Sequence, residues 1–472
     1  MSHLLGLFPS LLVLALVLLF RCPALLAAAA SVAAALAVGS LGVFAPLTPE
    51  LVLSAAADAG LVSLVVASVV VPGIAFITAT ASTGSTDALR NLVDAAPLSP
   101  PMRAVLVVCG LGVLVESLTG MGVSLLITVP ILARLFAGWR VLALALIGMS
   151  LMPWGALSLA ALVGAKLGGI EPSAFAFELW LMSGAVAALL PMLAVLCAGS
   201  TRPADYLLAL CTGGAMWAAT GWASFLLGVE AAGVLGGLAV LVLLLAMTGA
   251  QREIAAALRH QGLRPYAILI AAVVAQKALV ALAPWIAEAL VIRSVNLSVA
   301  PLTLPGLALV AAVTITARQP YRGLIEGTLQ RSWRPLLTAA MFLICARLLV
   351  ECGAIAALAG ATASLGPHAA LLATGALGAV GGFITGSGIS ANALFLPAAA
   401  TTGLSFGQAE LFAVLSNAAS GHTAMASLPI IALLIAALPD RTQSQERDAM
   451  RIGLALAAFH VGVVTGIAYL RL

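Results

Sequence analysis

The chain has 472 residues, 63% of them hydrophobic and 8% charged, with a mean hydropathy of +1.18 and a net charge of +4. No water-soluble domain has that balance, and apolar runs of about 18 residues or more recur from end to end. The composition therefore predicts an all-α polytopic membrane protein, and it gives no ground for a nucleic-acid partner.

Taken in chain order, the apolar segments fall at about 4–20, 22–46, 59–80, 104–136, 140–165, 173–198, 204–228, 230–249, 265–287, 300–317, 335–351, 368–401, 408–438 and 449–470. The first lacks a basic leader and is followed by Arg21, so it reads as a retained helix with its N-terminus outside. Residues 82–100 read as an interfacial stretch. The six cysteines sit in or beside apolar segments without a C-x-x-C pair, and the five histidines do not cluster. No cofactor or metal site is expected, and no clustered His/Asp/Glu or Ser/His set supports an enzyme.

Segments 104–136 and 368–401 are too long for one crossing, which takes about 20 residues. Each is interrupted near its middle, by Thr119-Gly120-Met121-Gly122-Val123-Ser124 and by Thr385-Gly386-Ser387-Gly388-Ile389-Ser390. The two motifs lie 266 positions apart, and at the same offset Ser150 matches Ser416 and Gly155 matches Gly421. Paired breaks in the two halves of a membrane chain point to a transporter's binding site, because unwound backbone survives in a bilayer only when buried or lining a polar cavity.

Charge decides between crossing helices and re-entrant hairpins. With both long segments as hairpins, 16 cations fall on one side against three (Lys166, Arg293 and Arg471), with Lys277 and Arg347 inside segments. With both as crossings the division is 8 against 11. The hairpin arrangement gives the charge bias, with the arginine-rich side in the cytoplasm. Seven crossing segments between the hairpins place them on opposite faces, an inverted-topology repeat of about 12 transmembrane helices plus two hairpins, with both termini outside. The expected organisation is 1–58 as N-terminal helices, 59–198 as the first repeat, 199–317 as connecting helices, 318–438 as the second repeat, and 439–472 as the last helix.

A hairpin tip presents helix N-termini whose unpaired N–H groups attract anions. Gly120, Gly122, Gly386 and Gly388 permit close approach. Thr119, Ser124, Thr385, Ser387, Ser390 and Asn392 supply neutral hydrogen-bonding groups for a carboxylate or hydroxyl. The segments after the hairpins, around Ser150–Pro153 and from Ser416-Asn417 to Gly421-His422-Thr423, read as broken helices. Ser150, Ser416 and Asn417 join the candidate site. Glu116, three residues before the first tip, is either a proton carrier or a structural carboxylate bonded to freed backbone. His422 is either a proton relay or a satisfied polar histidine. Arg347 and Glu351, four apart, are expected to pair, and Lys277 has no sequence-local partner.

Glu116-Ser117-Leu118-Thr119-Gly120-Met121-Gly122 resembles the E-G-x-x-G-F-G stretch of the L-lactate permease family. Gly381–Phe395, reading GGFITGSGISANALF, is similar to that family's later G-x-F-x-S/T-G-S…S-N-x-L/M-F stretch. The resemblance covers roughly 60–170 and 335–435. It implies a proton-coupled permease for L-lactate or a related 2-hydroxy monocarboxylate, in the cytoplasmic (inner) membrane, and kinship with transporters built on inverted hairpins. Leu118 and Thr119 replace two family alanines, and Met149–Pro153 replaces an N-T-A-P stretch, departures that point toward a different or larger acid. Sodium coupling, a dicarboxylate carrier subunit that works with a binding protein, and a channel are the alternatives. The partners implied are a small organic anion, H+ or Na+, the lipid bilayer, and in the open question of assembly a homodimer.

Overall fold

The structure is a computed structural model of the whole chain, and it describes every residue except 1, 21, 82, 121, 250, 251, 253, 254, 257, 258, 318, 319 and 440–442. Arg21, Arg318 and Arg441 of the charge count, and Met121 of the first tip, lie outside the described residues.

The fold is helical almost throughout, as the composition requires. Among the described residues, ten helices are long and apolar enough to cross a membrane, and five apolar helices are shorter. The described sheet is a two-stranded ribbon pairing Ile292 with Val299 and Arg293 with Ser298.

Both long segments fold back on themselves. The first descends as Pro100–Val105, a π-helical stretch Leu106–Gly112 and Val113–Thr119, turns at Gly120–Gly122, and returns as Val123–Leu135, which packs against the π-helical stretch. The second runs down Pro367–Thr385, turns at Gly386-Ser387, and returns along its own first arm as Gly388–Leu404. The interfacial stretch forms helix Ser85–Ala95, with Leu89, Leu92 and Val93 buried and Asp87, Asn91 and Asp94 exposed.

The segments after the hairpins meet at the centre. Trp139–Gly148 breaks at Met149–Trp154 and resumes as Gly155–Gly168. Ala409–Ala424 breaks at Met425–Ser427 and resumes as Leu428–Ala437. The second break therefore does not fall at Ser416–Thr423 as the sequence suggested, because that stretch is continuous helix. Pro429, at the second position of the next helix, and Ser427 before it set the break later.

The predicted crossing at 300–317 is also different. Its helix is only Gly306–Thr316, about 16 Å long at 1.5 Å per residue, against a hydrocarbon core of about 30 Å. Pro301 and Pro305 keep the preceding residues from extending it. That irregular backbone is satisfied from a neighbouring helix. Gln276 donates through Nε2 to the carbonyls of Leu302 (2.7 Å) and Leu304 (2.6 Å) and accepts from the Ala308 N–H (3.0 Å). Gln276→Leu would strand three backbone groups where water is scarce. At about 1 kcal/mol per net hydrogen bond, a destabilisation of about 3 kcal/mol is expected, read as a lower midpoint in thermal unfolding of the purified protein.

Long-range partners also settle the isolated charges. Arg347 pairs with Glu351 (3.0 Å) as expected and with the fully buried Asp58 (2.6 Å), whose carboxylate also accepts from Ser294 and Asn296. Lys277 finds Glu230 at 2.9 Å, and Arg471 holds Glu178.

Candidate functional site

The first tip is shaped by two glycines with positive φ. Gly120 has φ 69° and ψ −170°, a region that only glycine adopts readily, and Gly122 has φ 78° and ψ 10°. Gly122 precedes the returning helix, whose first N–H groups would otherwise be orphaned in the interior. Glu116 satisfies them. Its Oε1 accepts from the Gly122 N–H at 3.0 Å, and its Oε2 accepts from the Ser124 hydroxyl at 2.9 Å and the Ser124 N–H at 3.4 Å. Glu116 and Ser124 are both buried.

The expected anion site at this helix N-terminus is thus occupied by the chain's own carboxylate. Thr119 donates its hydroxyl to the Val115 carbonyl at 2.6 Å and is likewise spent locally.

The second tip differs although its sequence aligns with the first. Gly386 takes the left-handed conformation (φ 63°, ψ 18°), but Gly388 is helical and begins the returning arm. Among the described residues, no acid caps this helix. The Ser387 hydroxyl accepts from the Ser390 N–H at 3.4 Å, and Thr385 Oγ1 accepts from the Ser387 N–H at 3.2 Å. Residues 385–389 are half-buried, whereas Gly120, Gly122 and Ser124 are buried.

The two tips are bound to one segment. A Cβ built on Gly120 would lie 2.6 Å from the Ala156 Cβ, and one built on Gly388 would lie 3.0 Å from the Ala160 Cβ. Those alanines are four positions apart, so their Cα atoms are separated by at most about 14 Å. Ala156, Leu157 and Ser158 all have positive φ (49°, 54° and 57°), a left-handed turn that costs about 1–2 kcal/mol per residue. Ser158 anchors it by donating to the Val229 carbonyl at 2.6 Å. The arrangement is reciprocal. Gly388–Leu404 packs on Gly155–Gly168, beyond the first half's break, while Val123–Leu135 packs on Leu428–Ala437, beyond the second half's break.

Asn392 ties this centre together. Its Nδ2 donates to the Ala160 carbonyl (2.9 Å) and to Asn417 Oδ1 (2.7 Å). On the second hairpin and the broken segment that packs on it are buried polar atoms that, among the described residues, have no hydrogen-bond partner: Asn392 Oδ1, Asn417 Nδ2, Ser416 Oγ and Ser427 Oγ. Ser427 Oγ lies 2.8 Å from where a Cβ on Gly386 would stand, so it borders the second tip. Unspent donors and acceptors thus gather on the second hairpin's side, while the first tip is internally saturated.

His422 joins the two broken segments. Its Nδ1 lies 2.7 Å from the Ser150 carbonyl, which can only accept, so Nδ1 carries the proton. Its Nε2 lies 3.1 Å from the Ser183 hydroxyl. Ser150 donates weakly, at 3.3 Å, to the Leu146 carbonyl. The His460 ring is centred 5.3 Å from that of His422 and is fully buried, with no hydrogen-bond partner for either nitrogen among the described residues.

The sequence reading had no signal for four contributors: Ala160 with its carbonyl, Ser427, Ser183 and His460. None occupies either of the two tip motifs or one of the polar and glycine pairs that match between the halves. Ser183 and His460 in particular lie on helices without a break.

Residues 263–471 match the model of the family described as L-lactate permease. That stretch holds the second hairpin, the helix carrying Asn417 and His422, the second break and the last helix. The earlier of the two motif regions, with Glu116 and the first tip, lies outside it. No curated protein matches the chain. Residues 263–471 therefore carry the L-lactate permease pattern, in a multi-pass helical protein.

Proposed function

We propose, from the L-lactate permease pattern of residues 263–471 and the two hairpins that converge on Gly155–Gly168, that this protein is a secondary active transporter taking up L-lactate or a related 2-hydroxy monocarboxylate with a proton. The observation that carries the reading is the asymmetry of the tips. One helix N-terminus is neutralised by Glu116; the other, Gly388–Leu404, has hydroxyl caps only and unspent polar groups beside it. A carboxylate fits the second, where N–H groups and the helix dipole favour an anion. The substrate hydroxyl meets Ser387, Ser390 or the Asn392–Asn417 pair.

Glu116 supports proton coupling through its position. Its bonds hold the first tip against Ala156, in the same segment that the second tip touches through Ala160. Protonation removes the charge that the Gly122 and Ser124 donors complement, loosening one tip as the other takes up the anion. Moving one proton with one monocarboxylate also avoids carrying net charge through hydrocarbon. In this reading the repeats 59–198 and 318–438 enter the cytoplasmic membrane from opposite faces, with both termini outside.

Proteoliposome uptake of labelled lactate tests it. Acid outside is expected to accelerate accumulation several-fold, with no requirement for sodium. Stimulation by a sodium gradient but not by acid rejects proton coupling. Labelled glycolate and a dicarboxylate in parallel separate the monocarboxylate reading from a dicarboxylate one.

A further inference from the structure

A cleft of about 510 Å³ opens beside the first hairpin and has no part in the site described above. Its walls come from helix Ser85–Ala95, the descending arm of the hairpin, Val229–Ala246 and the start of Arg264–Leu282. The interior is leucine-rich, including Leu89, Leu111, Leu114 and Leu241, while Arg259, His260 and Arg264 stand at the rim.

The two arginines are exposed, and among the described residues neither has a carboxylate partner. His260 spends its Nδ1 on the Gly262 N–H at 3.1 Å, leaving Nε2 for another partner. The rim rests on the interfacial helix, since a Cβ at Gly262 would lie 2.7 Å from the Gly84 carbonyl oxygen. An amphipathic helix of this kind lies at headgroup depth, so the cationic rim sits there too, with the apolar interior below it.

That combination selects its occupant. A small hydroxy acid would satisfy the arginines but leave the leucine wall unfilled. A neutral lipid would fill the wall and leave two cations unmatched. We propose that the cleft holds one anionic phospholipid, its phosphate on Arg259 and Arg264 and an acyl chain along the leucines. The back wall includes Val115, the residue before Glu116, so the bound lipid braces the arm that carries the first tip.

Native mass spectrometry of the purified full chain tests this, with palmitoyl-oleoyl phosphatidylglycerol and palmitoyl-oleoyl phosphatidylcholine offered at equal concentration. One phosphatidylglycerol is expected to be retained with at least a tenfold preference. The Arg259→Ala/Arg264→Ala double variant should lose that preference without a change in thermal midpoint. Inorganic phosphate at millimolar concentration should not displace the lipid. Equal retention of the two lipids, displacement by phosphate, or an unchanged preference in the double variant overturns the proposal. If the double variant unfolds, the competition on the native chain decides alone. None of these readouts depends on which solute is transported.

Discussion

Glu116→Gln is expected to abolish acid-driven accumulation of substrate while leaving exchange of labelled for unlabelled substrate largely intact. The carboxylate holds three donors at the first tip. Gln keeps the size and can still accept from the Gly122 N–H and donate to the Ser124 hydroxyl, so the fold survives. What it loses is the capacity to gain and release a proton. Net uptake driven by a pH gradient should fall by about 100-fold, the equivalent of about 3 kcal/mol. Glu116→Ala removes the cap outright. Hydrogen bonds to a charged group contribute about 1.5–3 kcal/mol each, so this variant should also unfold several degrees earlier. A Gln variant that accumulates substrate at the native rate under a pH gradient would sink the proton-carrier role.

Gly120→Ala is expected to be nearly as damaging, for a backbone reason. The glycine-only conformation at Gly120 strains any other residue by about 1–3 kcal/mol. The added methyl would meet not only the Ala156 Cβ at 2.6 Å but also its N at 3.1 Å and Cα at 3.2 Å, atoms that cannot rotate away. Relief requires moving either the tip or the left-handed turn. Gly388→Ala provides the contrast, because Gly388 is helical and its added methyl meets only the Ala160 methyl, at 3.0 Å. Uptake and thermal midpoints of the two variants should separate clearly, with Gly120→Ala transport-dead and Gly388→Ala only weakened. Equal behaviour would show that the first tip's contact with Ala156 is dispensable.

The motif repeat revealed the two tips but not the difference between them. Thr-Gly-x-Gly-x-Ser appears twice, yet Gly122 is a left-handed cap and Gly388 a helical packing residue. The cause lies outside the motif, in Glu116. Its counterpart at the same offset in the second half is Gly382, which has no side chain to cap a returning helix. Length alone left 104–136 and 368–401 open to a single tilted crossing, as Pro49–Ala81 and Tyr321–Glu351, unbroken helices of 33 and 31 residues, illustrate; the Thr-Gly-x-Gly-x-Ser break near the middle of each and the charge bias pointed to hairpins. The second break lies later than expected because Ser, Asn, Gly and His at 416–423 look like helix interrupters, whereas the helix runs through them, the Ser420 hydroxyl returning to the Asn417 carbonyl of the same helix and the His422 ring reaching Ser150 and Ser183. The partners of Gln276 and Lys277, and the second partner of Arg347 beside the expected Glu351, were invisible for a simpler reason. Each is supplied from a distant part of the chain, 26 or more positions away for Gln276 and 289 for the Asp58–Arg347 pair. The left-handed turn at Ala156–Ser158 had no sequence signal either, since none of the three is a residue that favours positive φ.

Entry of the two hairpins from opposite faces, bringing unlike tips to one segment, is tested most directly by single cysteines placed at the hairpin bases in a cysteine-free background, read with a membrane-impermeant maleimide on sealed, oriented vesicles. Pro100→Cys and Ala137→Cys flank the first hairpin; Leu365→Cys and Leu404→Cys flank the second. The first pair is expected to be labelled from the cytoplasmic side only and the second pair from the outer side only. Labelling of the two members of either pair from different sides would make that hairpin a full crossing and contradict the account.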